Sequence, residues 1–425
     1  MQSSIGSPAS PVGDAGRTSR SHLGRAAHAL RDPVYRRWFA CQVFSSSGSM
    51  AQGVAQSWLI LQLTGRAVDI GLFGVISSGP ALLIGAWTGA LVDRFDSRRL
   101  LIATQSLFIV LCAAQAVLVA SGAVRLWMLL IFGACNGAVM AVDGPARQVY
   151  VFQLVGQDRL ASAVGLYEVM LNASRVLGPA AGGVLLATVG TAACFGANAA
   201  SFVPTLWLLL RIRPVAPAPA RPAVREPVRV RDGLAAVRRA PEIRSCILLA
   251  AAGGMLFNLS TITPLYARQV LHLGGGGFGA LMACFGVGAV PGALLAAGSA
   301  GEPTGPRIRA LALLTAGAIL ATALAPVPVA AFLGIAVTGF LSIWLVAAAN
   351  TLVQLRSEPR LRGRVMGIWT MALPGTVPFT GMLSAVAAQV NARAGVALAG
   401  VVLAVVAVIT WTALGRPADP RPEAG

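Results

Sequence analysis

Runs of about twenty apolar residues, the length that crosses the hydrocarbon of a bilayer, recur along almost the whole chain, separated by short polar turns. The pattern predicts twelve such helices. Six fall at 38–63, 69–92, 100–120, 126–142, 160–188 and 191–210. Six more fall at 245–267, 278–299, 309–325, 327–353, 362–390 and 394–415. Between the two sets, residues 211–244 hold six prolines and nine arginines with little periodicity, the mark of a linker, with room for one short surface helix near 233–239. Residues 1–35 are rich in Ser, Gly, Ala and Arg and lack the apolar core of a signal peptide, so they read as a polar tail; 416–425 read as a second. The predicted fold class is an all-α membrane protein: a six-helix bundle over 36–210, the linker, and a six-helix bundle over 245–415.

The two sets repeat one another. Gln153-Leu154, Arg159-Leu160 and Val164 recur at Gln354-Leu355, Arg360-Leu361 and Val365. Gly89-Ala90-Leu91 recurs at Gly292-Ala293-Leu294, and Pro179-x-x-Gly182 at Pro378-x-x-Gly381. Each match is weak alone; three in order at nearly one shift imply a duplicated unit.

Polar residues inside apolar runs carry the candidate chemistry. In the first helix Gln42, Ser45, Ser49, Gln52 and Gln56 recur every three or four residues, so they form one stripe. Amides are costly against lipid, so the stripe faces protein or a wet cavity; three glutamines exceed what packing requires, which favours a cavity wall over simple interhelical bonding. The fourth helix ends in Asp143-Gly144-Pro145-Ala146-Arg147, where Asp143 and Arg147 have the spacing of a helical ion pair unless Pro145 breaks the helix. Either this is an ordinary helix-end pair, or it closes a gate with the charges of the 93–99 turn. The fifth helix carries Glu168 and Arg175 on one face. Ionisable groups at that depth usually point inward, and burial favours the neutral form of a carboxyl, which suits a proton carrier. The alternative is a pair of fixed counter-ions. Gly178-Pro179-Ala180-Ala181-Gly182-Gly183 follows, where glycines permit close approach of backbones.

The turn between the second and third helices, GALVDRFDSRR from Gly89 to Arg99, packs Asp93, Arg94, Asp96, Arg98 and Arg99 between two membrane-length runs. Short arginine-bearing loops stay in the cytoplasm, which fixes the orientation of every other helix and puts both termini on the cytoplasmic side. The chain has 33 basic residues, all arginine, for a net charge of +18. With that orientation 28 of them fall in cytoplasmic segments, four outside (Arg66, Arg125, Arg268, Arg393) and one, Arg175, within a helix. The basic charge is thus explained by topology, and nucleic-acid binding is not expected.

The motif G-x-x-x-D-R at the end of a second membrane helix, followed by arginines, resembles the signature loop of the major facilitator superfamily of secondary transporters. The match lies at Gly89, Asp93, Arg94, Arg98 and Arg99; Asp96 stands where the usual motif has a glycine, as it does in the exporter branch that includes siderophore and macrolide efflux proteins. The segment 350–367, NTLVQLRSEPRLRGRVMG, resembles the same branch, and Gly178, Pro179, Gly182 and Gly183 resemble the glycine–proline signature of antiporters. The resemblance implies a monomer in the inner or plasma membrane that exports an amphipathic drug, macrolide or siderophore against protons by alternating access. It implies a cytoplasmic gate at Gly89, Asp93, Arg94, Arg98, Arg99, Asp143 and Arg147, and proton coupling at Glu168 or Asp143. By the same analogy the first, fourth, seventh and tenth helices line the path, adding Asn136, Met140, Asn258, Thr261, Trp344 and Asn350 to the first-helix stripe and Arg175. An importer or lipid flippase on the same scaffold is the competing expectation, since direction is not written in the residues. A membrane-embedded enzyme is not expected, because no histidine lies near Glu168, Asp143 or Arg175. Six cysteines lie scattered without metal spacing and no GxxxxGK[ST] motif occurs, so neither metal, cofactor nor bound nucleotide is expected.

Overall fold

Asp32 starts the first helix. Its carboxylate accepts the backbone N–H groups of Val34 (2.8 Å) and Tyr35 (3.3 Å), and Pro33 takes the first position, where a missing N–H is harmless. The computed structural model describes residues 28–212, 230–255, 259–298, 303–358, 361–373 and 375–415, and within helices it leaves some side chains undescribed. After a single turn at His28–Arg31, helix α1 (Pro33–Thr64) runs to Gly65, whose φ of 69° closes it. The helix therefore begins before the expected start at 38, because the Asp-Pro cap is itself a helix start. The tail end is pinned to a later helix: Asp32 pairs with Arg159 (3.2 Å), and the Ala29 N–H donates to Ser162 Oγ (3.0 Å).

Helix α2 (Ala67–Arg94) reaches the charged turn, and Asp96 caps α3 (Ser97–Ala120) through the Arg99 N–H at 2.9 Å. The next helical run, Leu126–Thr188, is broken at Gly156 (φ 70°, ψ 179°), a conformation that glycine adopts without a Cβ penalty. We number its parts α4 (Leu126–Gly156) and α5 (157–188). The helix passes through Pro145, so the end expected at 142 is fourteen residues short. Helix α6 (Thr191–Arg211) follows, and in the linker α7 (Val230–Arg239) forms near the expected place.

Two helices of the second set are broken where continuous spans were expected. The run 245–267 is α8 (Pro241–Gly253) and α9 (Leu259–Gln269), parted at Gly254–Met255. The run 362–390 is α13 (Arg362–Ala372) and α14 (Val377–Val390), parted at a turn that the sequence marks with Pro374-Gly375. The breaks meet: Thr376 Oγ1 donates to the Ala251 carbonyl (3.2 Å). The others are α10 (Gly275–Gly298), α11 (Gly305–Ala323), α12 (Pro328–Arg356), α15 (Ala392–Ile409) and α16 (Trp411–Leu414). Residues Gly275 to Gly277, expected in an outer loop, form the first turn of α10.

Among the described residues there is no strand, and eight helices are long and apolar enough to cross a membrane. Helix α1, although 32 residues long, is not among them; its polar stripe and flanking arginines dilute its hydropathy. The chain is a multi-pass membrane protein. Packing between 33–211 and the second set runs mainly through α5 against α10 and α2 against α14. Gly183 and Gly279 make the first contact possible, since a Cβ on either would strike the other's backbone.

Candidate functional site

A cavity of about 620 Å³ lies among α1 to α6, with Gly375 and Pro378 from the second set on its edge. That volume falls within the usual range for small-molecule sites. Ser45, Ser49, Gln52 and Gln56 of the α1 stripe line it, with Asn136 and Met140 on α4. Gln42 is buried beside it, and its Oε1 accepts from Arg147, which lines the cavity with Asp143. The period of the stripe places these side chains on the inner face, and helix α5 packs closely against α1 beside that face through Gly178 and Gly182. A Cβ on Gly178 would strike Met50 and the Ser47 carbonyl, and one on Gly182 the Ala51 backbone.

Two polar arrangements furnish the wall. The first is a chain of amides across three helices. Asn198 Nδ2 on α6 donates to Gln52 Oε1 (2.7 Å), and Gln52 Nε2 donates to Gln115 Oε1 on α3 (3.1 Å). Ser201 Oγ donates to Asn198 Oδ1 (3.1 Å). Each amide satisfies the next, as buried polar groups must. Sequence reasoning missed Gln115 and Asn198, because a single amide in an apolar helix has no periodicity; only its cost in lipid could have flagged it.

The second arrangement surrounds Asp143, which is wholly buried. Its Oδ1 accepts from Thr104 Oγ1 (2.7 Å) and Gln105 Nε2 (2.8 Å), and its Oδ2 pairs with Arg147. Arg147 also donates to Gln42 Oε1. The pair forms across one turn despite Pro145. Its partners sit on α1, α3 and α4 only, so here it ties three helices of the first set together and does not span the two sets. The arginines of the charged turn take no part in it. Arg98 instead donates to the carbonyls of Leu209 (2.7 Å), Ile212 (3.0 Å) and Leu210 (3.1 Å), satisfying the end of α6. Arg94 and Arg99 are exposed.

The remaining candidates scatter. Arg175 is half-buried on α5 and absent from the cavity wall, as is Thr261 on α9. Trp344 packs edge-on against Phe340, with the Arg307 guanidinium 5.0 Å from its ring centre. Asn350 accepts from Gln354 one turn on. Thr261, Trp344 and Asn350 do not line this cavity, whose wall comes from the first set apart from Gly375 and Pro378. Asn258 lies outside the described residues, as do Gly89, Asp93 and the side chain of Glu168 beyond their helical backbone.

One end of the cavity is sealed. Trp58 stacks on Phe278 (centroids 5.8 Å apart, planes at 16°), and one hydrophobic core joins α1 residues from Val54 to Leu61 with Phe278, Leu281 and Met282. Ala67 donates its N–H to Gln389 Oε1 (2.9 Å) and Arg268 Nη1 to the Leu61 carbonyl (3.3 Å) across the same seam. At the end of the charged turn, the core around Trp38, Tyr150 and Leu101 draws its members from 29–212 alone.

Comparison with known proteins agrees with this geometry. The chain is 28% identical over 398 residues to the enterobactin exporter of Citrobacter koseri, covering 90% of this chain and 92% of that one. It is 30% identical over 173 residues to the staphyloferrin A transporter of Staphylococcus aureus, covering 39% of this chain and 44% of that one. A solved bacterial homologue of the human lysosomal transporter Spinster shares the fold, with a TM-score of 0.67 at 17% identity over 90% of this chain and 96% of that one. The model of the transmembrane secretion effector family matches residues 25–419, and the chain therefore belongs to that family, a membrane-transporter branch of the major facilitator superfamily.

Proposed function

We propose that the chain exports an amphipathic small molecule, a siderophore or a drug, by proton antiport, with twelve crossings in two six-helix bundles that exchange access to one cavity. The observation that carries the proposal is the cavity itself: a wall mostly apolar, studded with uncharged amides, closed at the Trp58 end by both sets of helices together. Such a wall suits a ligand with both apolar surface and hydrogen-bonding groups. The two seams, α5 with α10 and α2 with α14, exchange under the internal repeat, as expected of two related bundles that rock about a shared site. The arginine-rich turn assigns its end to the cytoplasm, so the sealed end faces outward and this form opens inward. The named relatives, exporters or transporters of siderophores, support the substrate class.

Protons enter the scheme at Asp143 or Glu168. A proton on Asp143 Oδ2 would break its pair with Arg147 and release the guanidinium that also holds Gln42 of α1, a local change that the packing can amplify. Everted vesicles carrying the chain are expected to accumulate enterobactin when acidified inside, and to lose it on addition of an ionophore. Accumulation that ignores the gradient, or full activity in both Glu168→Gln and Asp143→Asn, overturns the coupling. Transport only into right-side-out vesicles selects the importer or flippase instead.

A further inference from the structure

Gln56 stands apart from the other amides. It lines the cavity, is 3% exposed, and lies two residues before the Trp58 seal. Among the described residues it is the only amide whose Nε2 and Oε1 are both buried and without a hydrogen-bond partner. One turn earlier Gln52 satisfies both sides of its amide through Asn198 and Gln115. A packing residue would not leave two polar atoms unpaired, since each unmet group costs about 1–3 kcal/mol. An apolar side chain of the same size would fill the space without that cost.

We infer that Gln56 is a specificity residue, which pairs with a group of the substrate that offers a donor and an acceptor side by side: a secondary amide, or a hydroxyl next to a carbonyl. This deepens the exporter reading and rests on it. Position makes the assignment specific. Gln42, bound to Arg147, and Gln56 stand fourteen residues apart on α1, about 21 Å along the helix axis, so the cavity has an ionic end and an amide end. A ligand entering past Arg147 with its amide leading completes the Gln56 pairing only when it reaches the seal. A site built to bond such a group discriminates strongly against an analogue that lacks it, because the protein's own polar atoms are then left unpaired.

The test sets binding against stability in native chain and Gln56→Met, both in lipid nanodiscs, with N-octylbenzamide and octyl benzoate as probes. Loss of an unpaired amide is expected to leave the variant at least as heat-stable as the native chain. Its affinity for the benzamide is expected to fall about tenfold, the value of one hydrogen bond of about 1.4 kcal/mol. Its affinity for the ester, which has no N–H, should change less than about twofold. Equal weakening for both probes would mean that Gln56 only biases the helices between forms, and would overturn the inference. So would unchanged benzamide binding in the variant, or a native chain that binds neither probe or does not prefer the amide. The enterobactin experiment judges the exporter reading separately, so the two can fail independently.

Discussion

The first set of helices, 33–211, and the second, 241–414, are of similar length and share a repeat, yet they use polar side chains differently. In the first set amides and ions bond from helix to helix: Gln52 with Gln115 and Asn198, Asp143 with Thr104 and Gln105, Arg147 with Gln42. In the second, hydroxyls mostly bond back to their own helix, as Thr315 does to the Leu311 carbonyl and Thr322 to that of Ala318. The second set instead has its interruptions, at 254–255 and 373–376, packed on one another. Cross-bonded helices hold their spacing, whereas paired breaks allow bending. One half supplies a firm wall, the other the joints.

The largest effect is expected where the wall depends on an ion pair. Arg147→Leu leaves Asp143 charged and buried, at a cost of about 3–5 kcal/mol, and should lower both membrane yield and unfolding temperature. Removing Asp143 as well, in Arg147→Leu with Asp143→Leu, should recover part of the loss. A double variant no better than the single would show that the pair does not hold the wall.

Next come matched polar-to-apolar changes. Gln52→Leu strands Asn198 and Gln115 and should cost about 1–3 kcal/mol. Thr315→Val in the second set removes only a bond to its own helix and should fall within about 0.5 kcal/mol of native. Similar melting shifts for both would erase the contrast drawn here.

Gly183→Val tests the seam. Its added atoms strike Gly279, and overpacking of about 1–3 kcal/mol should slow transport at least tenfold. Gly196→Ala, where a Cβ meets open space, is the control and should be silent. The smallest difference is expected between Arg98→Ala and Arg99→Ala. The first loses three carbonyl partners and about 1 kcal/mol; the second loses an exposed side chain and should melt with the native chain.

Much of this was legible in the residue order. Apolar length gave the helices, the α1 stripe gave a cavity wall at Ser45, Ser49, Gln52 and Gln56, and Gly178 to Gly183 gave close helix contacts. The breaks were not. Proline at 145 leaves its helix running while the turn before Val377 interrupts one, because neighbours decide whether freed carbonyls find partners. Gln115 and Asn198 escaped for a related reason: their meaning lies in meeting Gln52, and no local pattern records a meeting. Trp344 does not line this cavity, because analogy assigns helices to a path without saying which face Arg307 and Phe340 will cover.

The seal over the cavity consists, among the described residues, of ring stacking, aliphatic packing and two hydrogen bonds to uncharged acceptors. A closure of that kind depends little on ionic strength, since its one charged member, Arg268, bonds a neutral carbonyl and pairs with no opposite charge across the seam. It does respond to temperature, because apolar association weakens on cooling. Chilling, rather than brine, is therefore the treatment that should loosen this seal.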